Sequence, residues 1–191
     1  MSPYPLLDPL TFLNVLPNPP QRPANKNYDP KYFDEFGYLK GERGAGIAMA
    51  SWTKRPGPQN DEYDADLTIR VIATPSPSIA KEALVLEEEQ DKILFTKLKS
   101  TDVTIVLTAD EYRARRLEHS RLPPMYIVST RYGNYVFRFV GRIVTDGYFE
   151  DGAQFLERLR ALDAHITATL RNATQPGAPT DGPRAARSDR G

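Results

Sequence analysis

The chain has 191 residues, with 25 Lys and Arg against 25 Asp and Glu, so no net field draws it to nucleic acid or an anionic membrane. Cysteine is absent and His119 and His165 are the only histidines, which removes disulfides, thiolate chemistry and His-rich metal sites. The length suits one domain plus tails.

Eight of the 17 prolines fall in residues 1–30, a density that forbids sheet and favours extended chain. Yet Tyr4, Leu6, Leu7, Leu10, Phe12, Leu13, Val15 and Leu16 are too apolar to prefer water, so the segment needs a surface. "DPLTFLNVL" fits one short helix, with Asp8 as cap and Pro9 in its first turn. Tyr28, Tyr32, Phe33, Phe36 and Tyr38 then crowd into eleven residues. We read residues 1–44 as a Pro- and aromatic-rich arm. Phe12 and those five aromatics are its candidate partner-binding anchors, since buried rings carry much interface energy. The other reading is that the arm folds back over its own sheet.

Residues 45–172 read as an α+β domain. Period-two patterns predict strands from Ile47 and over Leu67 to Ala73, with Leu67, Ile69, Val71 and Ala73 on one face and Thr68 and Arg70 on the other. The connection holds Asp61, Glu62, Asp64 and Asp66, a carboxylate cluster without EF-hand spacing that is expected to be a solvated loop. "GERGAG" precedes a strand rather than following one and is a poor phosphate cradle. Helix formers dominate residues 77–90, with a hairpin over Ala83–Leu98 as the alternative, and Glu87, Glu88 and Glu89 look like a wet helix face.

Strands are expected over Ile93–Leu98 and Val103–Leu107. Thr108-Ala109-Asp110-Glu111 then matches a capping box that opens a helix to about His119. Pro123-Pro124 closes that connection, and Met125 to Val144 is a hairpin turning at Tyr132-Gly133-Asn134. Tyr135, Phe137, Phe139 and Ile143 share one of its faces. Phe155, Leu159, Leu162, Ile166 and Leu170 recur at helical spacing, so a C-terminal amphipathic helix should pack on the sheet, with His165 at the edge of its stripe. Residues 173–191 carry no large apolar side chain and are expected to be a disordered tail.

The order "ILFTKLKS", "LTADEYRARR", "MYIVSTRYG" resembles the restriction-endonuclease-like domain at the C-terminus of the NO VEIN family, over residues 93–133. That resemblance implies a strand bearing Glu-x-Lys, a capped helix, a tyrosine-rich strand and metal-dependent phosphodiester cleavage. Lys97 stands here where the glutamate belongs, and an ammonium cannot ligate Mg²⁺. What it implies for this chain is a degenerate module without catalytic carboxylates.

No residue is assigned to catalysis, a cofactor or a metal. Arg113, Arg116, Arg121 and Arg131 are candidate anion contacts, because guanidinium forks suit phosphate, although interleaved Asp110, Glu111 and Glu118 can neutralise them. The fold expected is a single α+β domain: an antiparallel or mixed sheet of five to six strands with a C-terminal helix on one face. The function expected is a non-enzymatic assembly or scaffold subunit. It would meet a protein partner, or copies of itself, through residues 1–44. The alternative is a partner- or nucleic-acid-binding module. With neither a signal peptide nor an apolar run long enough to cross a membrane, a cytoplasmic location is the default. The lack of cysteine is equally compatible with an extracellular or virion setting.

Overall fold

The computed structural model describes residues 4–5, 7, 10–13, 46–52, 65–145 and 147–174. Along the chain these form α1 (Leu10–Leu13), β1 (Gly46–Trp52), β2 (Leu67–Ala73), α2 (Pro77–Leu94), β3 (Lys99–Asp102), β4 (Glu111–His119), β5 (Leu122–Tyr132), β6 (Tyr135–Arg142) and α3 (Gly152–Ala173). The six strands make one antiparallel sheet in the order β1-β2-β6-β5-β4-β3, and α2 and α3 lie on opposite faces of it. The expected α+β class is present. The hairpin alternative for Ala83–Leu98 is not, since residues 83–94 belong to α2.

β5 and β6 are the hairpin that the sequence pattern predicted. Gly133 turns it at φ +58, a conformation that costs glycine nothing. Both central strands are buried on both faces, and their side chains sort by parity. Tyr135, Phe137 and Phe139 point toward α3 with Tyr132, Val128, Leu67, Ile69 and Val71; Val136 and Val140 point toward α2 with Ile72, Ile127 and Leu117. Every large apolar residue assigned to the α3 stripe is buried, and Asp151 caps the helix by accepting the Gln154 N–H at 2.9 Å.

The described part of the N-terminal arm lies on the domain's own aromatic face. The Tyr4 N–H donates to the Asn134 side-chain oxygen at 2.9 Å and the Leu7 N–H to the Tyr135 hydroxyl at 2.6 Å. That hydroxyl donates in turn to the Pro5 carbonyl. Phe12 packs edge-on against Tyr135 and Phe137, both at 5.1 Å, and is 4% exposed. It is therefore a core residue of this chain rather than an anchor offered to a partner. Tyr28, Tyr32, Phe33, Phe36 and Tyr38 lie outside the described residues, as do residues 175–191 of the expected tail.

Between β2 and β5 four expectations are corrected. α2 begins at a Ser76 cap and runs to Leu94, so Ile93 and Leu94 end a helix instead of opening a strand, and Phe95 to Leu98 form a turn. Val103–Leu107 is not a strand either: its Val103 N–H extends the ladder to Ala114, after which Ile105 leaves the sheet plane to enter the α3 core. The capping-box segment does not start a helix. Thr108 donates its N–H and hydroxyl to Asp163 of α3, while Asp110 accepts the Gly133 N–H at 2.7 Å. Tertiary partners thus take the groups that would have capped, and Glu111–His119 becomes β4, paired to β5 along nearly its whole length. Helix propensity is a weak prior against a long strand that needs a neighbour. Finally, Pro123 and Pro124 lie within β5, where a register shift between Leu117 and His119 interrupts the ladder and spares it two missing donors. The strand, capped helix, strand order behind the endonuclease resemblance is consequently not the order of this fold.

Two substitutions test this packing. A Cβ on Gly141 would stand 2.3 Å from the Phe155 ring, so Gly141→Ala should lower stability by about 1–3 kcal/mol in urea titration. Phe12→Ala should cost about 3–5 kcal/mol with a cooperative transition retained; an unchanged midpoint would mean that the arm does not close the core.

Candidate functional site

The α2 face of the sheet holds a buried charge cluster. Arg70 and Arg138 stand directly opposite each other on β2 and β6, an arrangement of like charges that is unfavourable by itself. The inward stripe of α2 is Ala80, Ala83, Leu84, Glu87 and Asp91, so its first half is aliphatic and its second half acidic. Glu87 reaches Arg70 at 3.1 Å and Arg138 at 3.6 Å, and Asp91 takes the other side of Arg138. Glu87 is fully buried, which corrects its assignment to a wet face; Glu89 is exposed, and Glu88 meets Arg115 at 2.5 Å and Arg113 and Lys92 more loosely. Burial pushes the Asp91 carboxyl up to about 6 against the pull of Arg138, with Glu87 adding to the rise.

The α3 face holds a second buried acid that the sequence reading missed. Asp163 accepts from the Thr108 N–H and hydroxyl and from Tyr132, whose hydroxyl is held well above the ordinary tyrosine range by burial and by this bond. The signal was an acid one residue past Leu162 on the apolar stripe. Its bonds all go to fixed protein groups, so it is a structural tie rather than a free base. His165, at the stripe's edge, is half-buried and bonded to Thr169 of the same helix.

The candidate anion contacts are dispersed by β4 being a strand. Arg131 is clamped by Asp110 at 3.2 Å and Glu111 at 3.0 Å, Arg116 meets Glu118 at 2.7 Å, and Arg113 faces Glu88. Arg121 is exposed in the β4–β5 turn. Of the acidic loop residues, Asp66 is buried, with its carbonyl accepting the Arg142 N–H, and so is not part of a solvated loop. Asp61, Glu62 and Asp64 lie outside the described residues. Among the described residues no group of three or more His, Asp or Glu is placed to hold a metal ion, and no helix is long and apolar enough to cross a membrane.

A concave apolar feature is present among the described residues. A groove of about 600 Å³ opens where the end of α2 passes the β4–β5 hairpin, with Leu117 and Met125 as floor and Ile93, Leu94 and Leu122 on its walls. These last three are 74%, 59% and 55% exposed. A side chamber of about 220 Å³, lined by Asp91, Arg115 and Ile127, shares Phe95, Thr96, Leu98 and Leu117 with it, so the α2–β3 turn stands between the two. Lys97, His119 and Arg142 are the basic residues of its lining, and among the described residues no carboxylate lines it.

No family model matches the sequence, and no curated protein matches it. Among solved structures, the crystal structure of the extracellular domain of PknH from Mycobacterium tuberculosis aligns over 85% of this chain and 89% of that one, at 11% identity and a TM-score of 0.38.

The Asp91 site has a testable sign. Its folded value near 6 exceeds the ordinary 3.8, so the folded state holds this proton more tightly than the unfolded chain does. The resulting contribution is full below pH ~4 and is lost as pH rises through ~6, a change of up to about 3 kcal/mol. Asp91→Asn should flatten that part of the pH profile of the urea midpoint. A profile that keeps its slope would assign it to another group.

Proposed function

We propose that this protein is a non-enzymatic binding module of a larger assembly, and that its docking face is the groove between the end of α2 and the β4–β5 hairpin. The observation that carries this reading is the trio Ile93, Leu94 and Leu122, all more than half exposed around an apolar floor. Three large aliphatic side chains kept together in water, in a chain with only Val85 and Val106 as other exposed large apolar residues among those described, are unfavourable unless a partner covers them.

The reading keeps the assembly role expected from the sequence but moves its contact surface. Phe12, Tyr4 and Leu7 are spent on the domain's own aromatic face, so the leading part of the arm acts as an intramolecular clasp. A catalytic role finds little support: the buried acids Glu87, Asp91 and Asp163 are each engaged by fixed donors. A nucleic-acid role is weakened for the same reason, since Arg113, Arg116 and Arg131 are met by carboxylates.

The test is site-specific cross-linking in the native host, with a photoreactive residue in place of Ile93 or, as a control, of Val106, which is 81% exposed and does not line the groove. A discrete protein adduct is expected at position 93, lost when Leu122→Lys is added and absent at position 106. Adducts of equal yield at both positions, or none at 93, would overturn the reading.

A further inference from the structure

Resting on the groove as a docking face, we infer that its occupant is a peptide segment of a partner protein that presents aliphatic side chains flanked by carboxylates. The charge of the lining is one-sided. In a chain with equal numbers of acids and bases, the described lining of the groove includes Lys97, Arg142 and the imidazole of His119 and no carboxylate, with Asp91 in the adjoining chamber. Among the described residues no carboxylate lies within ion-pair distance of Lys97, although Lys92 and Lys99 on either side of it pair with Glu88 and Glu118. The ring nitrogen Nδ1 of His119 accepts the Arg121 N–H at 3.1 Å, which uses one side of the imidazole.

The negative end of the α2 dipole, which would oppose an anion here, is partly spent. The Asp91 and Phe95 carbonyls accept from Phe95 and Leu98, and Lys92 lies in the last turn. A partner rich in lysine would meet the like charge of Lys97 on this apolar surface, whereas acidic flanks meet a complementary one.

The shape favours a peptide over a small amphiphile. A ligand confined to the cavity covers Leu117 and Met125 and leaves the outer surfaces of Ile93, Leu94 and Leu122 in water. Only a chain that overlaps the walls removes that surface from solvent, as amphipathic segments do when they lie in apolar grooves.

The experiment uses the full chain and three fluorescein-labelled peptides of about 18 residues, a length that would form ~5 helical turns. One has leucines on a helical face flanked by glutamates, one has the same leucines flanked by lysines, and one is the first with its order scrambled. The expected result in fluorescence anisotropy at moderate salt is that the Leu–Glu peptide binds at least about tenfold more tightly than either control. Lys97→Glu should reverse the preference between acidic and basic flanks, and Ile93→Lys should abolish binding at an unchanged melting temperature. Equal binding of the acidic and basic peptides would overturn the acidic partner while leaving the docking face standing. Binding of the scrambled peptide as tightly as the ordered one would reduce the contact to bulk charge and overturn the proposal. Binding of palmitate by the groove, with none of any peptide, would overturn both this inference and the protein-docking reading.

Discussion

The fold depends on how two arginines are kept side by side in the interior. Arg70 and Arg138 are cross-strand neighbours in the middle of the sheet, buried by the helix above them. An unpaired guanidinium there would cost several kcal/mol. Glu87 and Asp91 resolve this only if α2 lies at one height and rotation over β2 and β6. Hydrophobic contact from Ala80, Ala83 and Leu84 is tolerant of sliding; the two carboxylates are not. The ion cluster thus supplies register to a helix whose first half supplies adhesion.

That register has a consequence at the far end of α2. With Asp91 fixed on Arg138, the next turn carries Ile93 and Leu94 past the sheet's central strands toward the β4–β5 hairpin, and the chain then leaves the helix through a turn into β3. Phe95 and Leu98 turn down onto Leu117, Met125 and Ile127, and the chain enters the short edge strand β3. The groove is therefore the space left between a helix held in place by charge and a hairpin whose two prolines and register shift splay its start. It is a product of fixed elements, so its shape is set by the fold itself.

The opposite face is built differently. There the sheet offers rings: Tyr132, Tyr135, Phe137 and Phe139, with edge-on and stacked contacts among them. α3 covers most of that surface and the clasp of Tyr4, Leu7 and Phe12 covers more. Asp163 ties the segment after β3 to α3 through Thr108, and the end of β5 through Tyr132, so the chain that leaves the α2 face is anchored on the other. One face is thus closed by aromatic burial and the other by ion pairing, and it is the second that leaves an apolar edge open.

Period and turn chemistry by themselves determined β1, β2, the β5–β6 hairpin and α3, because each is a strongly patterned run whose apolar residues share a face or whose turn demands glycine; the body of α2 was favoured by helix-forming composition, with a hairpin left open. The parity of Tyr135, Phe137 and Phe139 was legible too, and so was the need of Phe12 for cover. The tertiary structure decided the rest. Glu87 and Asp163 look like surface acids in one dimension, since their partners are 17 residues away in Arg70 and 55 away in Thr108. Thr108 to Glu111 spells a helix cap, yet β5 lacked a neighbour and Asp163 lacked donors, and those long-range demands outweighed a local preference worth a fraction of a kcal/mol per residue. The groove follows the same logic: Ile93, Leu94 and Leu122 are ordinary core letters in sequence, and only the place where α2 stops relative to the hairpin leaves them in water.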